Sequence, residues 1–268
     1  VAVSINDLTS AGVGVAIAGT GSAALAGTVT IHTINTRAYI DQGARINAIN
    51  TGAGGGQNVT VAAGRAYNGL AIGAGLAGSG TFSAAPGFAA PVLKGTTEAF
   101  IQGKPSGTTA NYDTLVNAQG NVAVKSHAQT DILSIGAGIA LSGNVGLAGS
   151  AAVIVIETET LASISGRVQV TAEGSVLVSA LDDTTAYAVG GAVGVGIGSG
   201  GGAGAVNVIS IKKTTAASIG DAASVDANGN RGNLSGLPDG TFSGNGFNTS
   251  SLPGVAVLAS SSEHLFSL

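Results

Sequence analysis

The chain has 268 residues, enough for two domains or one long array of repeats. Its composition favours the array: 45 residues are Gly, none is Cys, Met or Trp, and only 9% are charged. A net charge of −4 offers nucleic acid no electrostatic footprint, and the lack of cysteine excludes a disulfide framework and zinc or thiolate chemistry.

The first residues, Val1-Ala-Val-Ser-Ile-Asn-Asp7, match Val176-Leu-Val-Ser-Ala-Leu-Asp182, and Val255-Ala-Val-Leu-Ala259 has the same pattern. The chain thus begins and ends in one phase of a repeat and reads as four units taken from a longer array. With no initial Met, basic n-region or signal-type apolar run, it reads as a mature or excised piece. The predicted organisation is a single array over 1–268, with units at about 11–69, 70–131, 132–186 and 187–265 and residues 1–10 closing a preceding unit.

Each unit opens on a small-residue run: Ala11-Gly-Val-Gly14, Ile72-Gly-Ala-Gly75, Ile135-Gly-Ala-Gly138 and Gly190-Gly-Ala-Val-Gly194. A Thr-x-Ala-x-Ile motif follows: Thr36, Ala38, Ile40; then Thr97, Ala99, Ile101; then Thr160, Ala162, Ile164; then Thr215, Ala217, Ile219. From the marker glycines Gly12, Gly73, Gly136 and Gly191 to that Thr the count is 24 in every unit, so this half is packed structure that tolerates no insertion. From the Thr to the Val-x-Val motif at Val59, Val122, Val176 and Val255 the counts are 23, 25, 16 and 40, and insertions there belong in exposed turns. They are Gly52-Ala-Gly-Gly-Gly56, Lys104-Pro-Ser-Gly107 and 228–253, the last long enough for a mobile surface excursion.

Thr, Ala and Ile at i, i+2 and i+4 share one face of a β-strand, while the residues between them (Arg37 and Tyr39, Glu98 and Phe100) vary freely. Val59, Val61 and Ala63 likewise oppose Thr60 and Ala62, and no unit shows helical spacing. Twenty residues of strand would extend about 65 Å. The constant half is therefore expected to turn corners at its Gly pairs, giving two or three rungs per unit. The predicted fold is all-β, a parallel β-helix or solenoid. Residues 184–211 carry no charge and could span a bilayer by length, but nine glycines there disfavour a helix, and a small-residue β segment is the better reading.

Candidate sites are sparse. Gly196-Ile-Gly-Ser-Gly-Gly201 matches the dinucleotide pattern formally, with neither the helix nor the acidic residue that the motif needs. His32, His127 and His264 fall at different phases, which argues against a repeated metal site, and His32 is expected to face solvent. Glu157 and Glu159 share a strand face and could chelate a cation or act as an acid/base pair; the plainer reading is charge that keeps exposed strands apart. Asp182-Asp183-Thr-Thr reads as a turn. Tyr39, Phe82, Phe88, Phe100 and Tyr187 look scattered, unlike a sugar-stacking platform. No catalytic, cofactor or metal residues are assigned.

Gly-x-Gly strands combined with Thr-x-Ala-x-Ile and Val-x-Val-x-Ala resemble the repeat regions of large exported adhesins of Gram-negative bacteria. These are the filamentous-haemagglutinin-like and leukotoxin-like proteins and some autotransporter passengers. The likeness covers almost the whole chain. It implies a β-helical stalk at the cell surface, passage through an outer-membrane secretion pore, and a role in adhesion or biofilm. The expected function is that of a structural, non-enzymatic segment that associates with itself through its ends or flanking repeats, and the ligand or receptor is left open. One rival is a complete subunit stacking head-to-tail into a fibre. The other is a β-helical polysaccharide lyase or hydrolase, whose best candidate site would be Glu157, Glu159, Asp182 and Asp183.

Overall fold

The computed structural model describes residues 1–105, 111–231, 233–243 and 246–268, with the backbone alone for 242, 243 and 246. The chain starts on β1 (Ala2–Ala18), turns into β2 (Gly21–Ala23) and β3 (Ala26–Ile40), and passes through β4 (Arg45–Ile46). The same course is then taken by β5 (Val59–Ser79), β6 (Phe82–Gln102) and β7 (Thr114–Ala118). It is taken again by β8 (Val122–Ser142), β9 (Val145–Ser165) and β10 (Val168–Ala172). A fourth passage uses β11 (Val176–Gly196), β12 (Gly200–Ile219) and β13 (Ser224–Ala227). A hairpin of β14 (Leu234–Ser243) and β15 (Gly246–Leu252) then precedes β16 (Val255–Ser267).

The fold is all-β with no helix among the described residues, and its three main sheets are parallel. Sheet A runs β1-β5-β8-β11-β16; sheet B runs β12-β9-β6, with β2 and β3 both on the outer side of β6; sheet C runs β13-β10-β7-β4. Each passage of the chain lies in register on the one before. Thr36, Thr97, Thr160 and Thr215 form one column, and Val59, Val122, Val176 and Val255 form another. Such stacking leaves the repeat units no choice of phase, because a slip of one residue would turn every inward side chain outward.

One unit is one circuit through the three sheets, not two or three rungs. The strands of sheets A and B are continuous for 21 residues in β5, β6, β8, β9 and β11, about 70 Å each. The constant half contains a single corner, at residues 19–20, 80–81, 143–144 and 197–199. Alternation alone reports a strand, not its length, and glycines inside these strands were open to reading as corners.

That corner also corrects the fixed offset. The last one is a residue longer than the others, so Gly190, not Gly191, continues the column of Gly12, Gly73 and Gly136, and Gly191 lies opposite Ala137. An insertion is tolerated there because the corner is exposed. The start of the chain shifts too: Ala2 shares its column with Ala63, Ser126 and Ala180, so Val1–Asp7 sits three residues further into the repeat than its likeness to 176–182 suggested.

The interior changes character along each circuit. Where the three sheets meet, Val59, Val61, Ile101, Val116, Val122, Val124, Ile164, Val168 and Val170 fill a triangular core. Beyond a polar seam, Tyr67, Leu93, Ile132, Ile154 and Ile156 form a second cluster between sheets A and B alone. Toward the A–B corner the buried apolar side chains are alanines, Ala24, Ala26, Ala77, Ala85 and Ala140 among them, set among inward glycines. The cross-section is a prism drawn out into a thin wedge. Residues 228–253 are less of an excursion than expected. Their described part forms the antiparallel β14–β15 pair, which lays Leu234, Leu237 and Leu252 on Leu177, Ala256 and Leu258 of sheet A. Residues 106 and 107 of the Lys104-Pro-Ser-Gly107 insertion lie outside the described residues.

Candidate assembly surfaces and the buried polar seam

In the wedge, the residue sizes are inverted. Inward positions carry Gly12, Gly73, Gly75, Gly136 and Gly138, and a β-carbon on any of them would fall within contact distance of backbone of the opposite sheet: on Gly27 from Gly12, on Phe88 from Gly73, on Ala151 from Gly136. The two sheets therefore approach far inside the usual face-to-face spacing of about 10 Å. Gly191 meets nothing within 4 Å, as its outward position requires. The larger aliphatic residues point out. On β1, Val13, Val15 and Ile17 are 70%, 61% and 82% exposed; Ile139, Leu141, Val193 and Val195 continue the same face, and Leu25, Val29, Phe82, Phe88, Leu147 and Val206 line the other.

The polar seam separates the wedge from the triangular core. Arg65, Asp182 and Lys213 all point inward, with Asp182 fully buried and the Lys213 side chain 5% exposed. Lys213 Nζ lies 2.8 Å from Asp182 Oδ1 and 2.8 Å from Glu263 Oε1. Asp182 also accepts a 2.7 Å bond from the Thr160 hydroxyl. Arg65, two strands away in the column of Asp182, fits against Gly95, where any side chain would collide with its guanidinium. Burial pushes the Arg65 pKa down, opposed by the charge of Asp182. The Arg65 nitrogens and the Thr36, Thr97 and Thr130 hydroxyls have no protein partner among the described residues.

Asp182 and Asp183 are thus not a turn. They sit in the middle of β11, one inward and one outward, where Asp183 Oδ2 lies 3.4 Å from His127. The parity of Val176, Val178 and Ala180 carried through to Asp182 would have revealed this. His32 is also misplaced by the solvent-facing expectation: it alternates with exposed neighbours on β3 and packs its ring 5.8 Å from that of the buried Tyr67. Three of the outward aromatics, Tyr39, Phe100 and Tyr187, are paired by the repeat. Tyr39 stacks on Phe100 at 5.1 Å, and Tyr187 lies 6.0 Å from Phe266. Beside the first pair Arg37 Nε meets Glu98 at 2.5 Å, and that bond raises the Arg37 pKa.

Glu157 and Glu159 do share the outer face of sheet B, but Glu157 is drawn into a charge ladder while Glu159 stacks between Thr96 and Thr214. Glu157 lies 2.9 Å from Lys94, whose hydrogen bond and charge hold its carboxyl below the usual value, with Lys212 adding to the effect. Among the described residues, no three His, Asp or Glu gather as a metal cluster. The Gly196–Gly201 pattern spans a strand, a corner and a strand, with no helix for a phosphate to cap. No helix is long and apolar enough to cross a membrane among the described residues.

The seam makes a pH prediction. Burial alone would push the Glu263 carboxyl up, but hydrogen bonds from Lys213 and Ser261 outweigh it and hold it below its ordinary 4.5. A depressed folded pKa means stability that is complete above the unfolded value and lost as pH falls through the folded one. The melting temperature is expected to fall between pH 5 and pH 3, by less in Glu263→Gln than in the parent; equal falls would remove Glu263 from the acid response.

No protein family, curated protein or solved structure matches the chain.

Proposed function

We propose that the chain is a β-solenoid segment of four stacked repeat units, and that it serves as the structural, non-enzymatic stalk and assembly scaffold of a secreted bacterial surface adhesin or filament. The observation that carries this reading is the open edge at each end of the stack. β1 and β3 at one end and β12 at the other, of 17, 15 and 20 residues, have no strand on their outer sides among the described residues. At one end little blunts the edges, since β1 holds a single charge, Asp7, and β3 a single one, Arg37; at the other, β12 carries Lys212 and the inward Lys213. Further units in the same chain would extend all three sheets without altering the pairing, and a second copy would do so once its β1 replaces β16, which holds the same level of sheet A.

The resemblance to exported adhesins supplies the rest of the proposal: passage through an outer-membrane pore and residence on the cell surface. Variable outward positions and the β14–β15 hairpin would carry whatever recognition the segment has. Electron microscopy with fibre diffraction tests the stacking. Purified chain at rising concentration should give fibres with a meridional spacing of about 4.8 Å, since the strands lie across the stack. A monodisperse particle that never elongates would remove the head-to-tail reading and leave only stacking within one longer chain.

A further inference from the structure

The ends of the stack account for growth along one axis. They do not account for the exposed apolar face of the wedge, which belongs to the sides. On sheet A that face is built in columns. Ile72, Ile135 and Val189 form a ridge beside Ala11; Val13, Ala74, Ala137 and Gly191 form the next column; Val15, Leu76, Ile139 and Val193 form a second ridge. Apart from Val13 at its end, the middle column is a trough of small residues between two rows of large ones. From the level of Thr9 to that of Ile17 on β1, and at the matched positions of β5, β8 and β11, no outward residue is charged.

Two partners could cover such a face, a bilayer or protein. Hydrocarbon would have to surround the adjoining edges of β1, β3 and β12, whose unpaired backbone groups it cannot satisfy. A protein partner covers the face and leaves the edges to water or to the next unit. The face also lacks any charge that a polar partner would engage. What it presents is complementary to itself: turned about a two-fold axis, the ridge of one copy fits the trough of another, with sheets aligned as in a β-sandwich. Five columns along four strands cover about 33 Å by 19 Å, so a pair would bury roughly 1,250 Å², within the range of a specific interface.

We infer that two copies of this chain pair side by side through the sheet A face of the wedge, with Leu76 and Ile139 of each seated in the Ala74–Ala137 trough of the other. This lateral contact is independent of end-to-end stacking and does not rest on it. The absence of native cysteine gives a direct test, since a thiol introduced in the trough can bond only to one introduced on the ridge of a partner.

An equimolar mixture of Ala74→Cys and Leu76→Cys chains under mild oxidation should yield covalent dimers of one chain with the other, and Gln129→Cys on the polar part of the same face should cross-link with neither. End-to-end stacking cannot imitate this. It holds equivalent positions about 19 Å apart, beyond the roughly 7 Å between α-carbons that a disulfide spans. Leu76→Lys with Ile139→Lys should abolish the non-covalent pair, with circular dichroism showing the fold retained. The inference is overturned if the trough and ridge cysteines cross-link no faster than either does with Gln129→Cys, or if pairing survives the double lysine variant. It is also overturned if the parent stays monomeric but binds phosphatidylcholine vesicles, which would make lipid the occupant.

Discussion

Gly136→Ala is expected to destabilise the fold by more than about 3 kcal/mol, while Gly149→Ala should be neutral or stabilise it by up to about 1 kcal/mol. The two substitutions add the same methyl group to neighbouring strands. At Gly136 that group would lie against the backbone of Ala151, and a backbone held in two sheets cannot step aside as the end of a side chain can. At Gly149 it would meet nothing within 4 Å, so the main effect is a stiffer unfolded chain. Thermal and urea melts of both variants measure the contrast. Equal destabilisation would show that the sheets are not in contact through their glycines. Gly73→Ala should resemble Gly136→Ala, because its β-carbon would land on the Phe88 carbonyl.

The second large effect is expected at the seam. Lys213→Met removes the cation 2.8 Å from a fully buried Asp182 and leaves its carboxylate with hydroxyl partners only. Breaking one side of such a pair costs about 3–5 kcal/mol, whereas replacing both sides with apolar groups of similar size is often neutral. Asp182→Leu combined with Lys213→Met should therefore recover most of the stability lost in Lys213→Met. A double-mutant cycle followed by urea unfolding reads the coupling directly. Simple additivity of the two single losses would mean that the pair does not act as a unit.

Much of this architecture is legible in the order of residues, and the limits have physical causes. The Thr-x-Ala-x-Ile and Val-x-Val motifs show which face turns inward, because period-two alternation is a property of the strand itself. Their columns coincide in the structure: Thr97, Ala99 and Ile101 stack on Thr160, Ala162 and Ile164. The length of a strand has no such signature. A glycine that starts a corner and one that admits a neighbouring backbone are the same letter, so one circuit was readable as several rungs. The extra residue in the corner at 197–199 is hidden for that reason too, since Gly190 and Gly191 stand side by side and either satisfies a marker.

The candidate sites divide along the same line. The local Asp-Asp-Thr-Thr text around Asp182 favours a turn. The inward direction of Asp182 is set by residues up to six positions earlier, and its partner Lys213 lies 31 residues later, across the gap between two sheets. The outward aliphatic face is legible residue by residue. It acquires meaning only when four strands are placed side by side, because a single Val or Ile on a strand's outer face is unremarkable on any protein surface.

The width of the circuit bears on what repetition accomplishes. Adding one unit, for example the 63 residues between the paired positions Val59 and Val122, lengthens the stack by only about 4.8 Å. A helix of the same number of residues would reach about 90 Å. As a means of covering distance the arrangement is extravagant. What each added unit does supply is another stripe about 70 Å long on both outer faces. A gain or loss of one unit therefore changes the area the stack presents far more than the distance it spans.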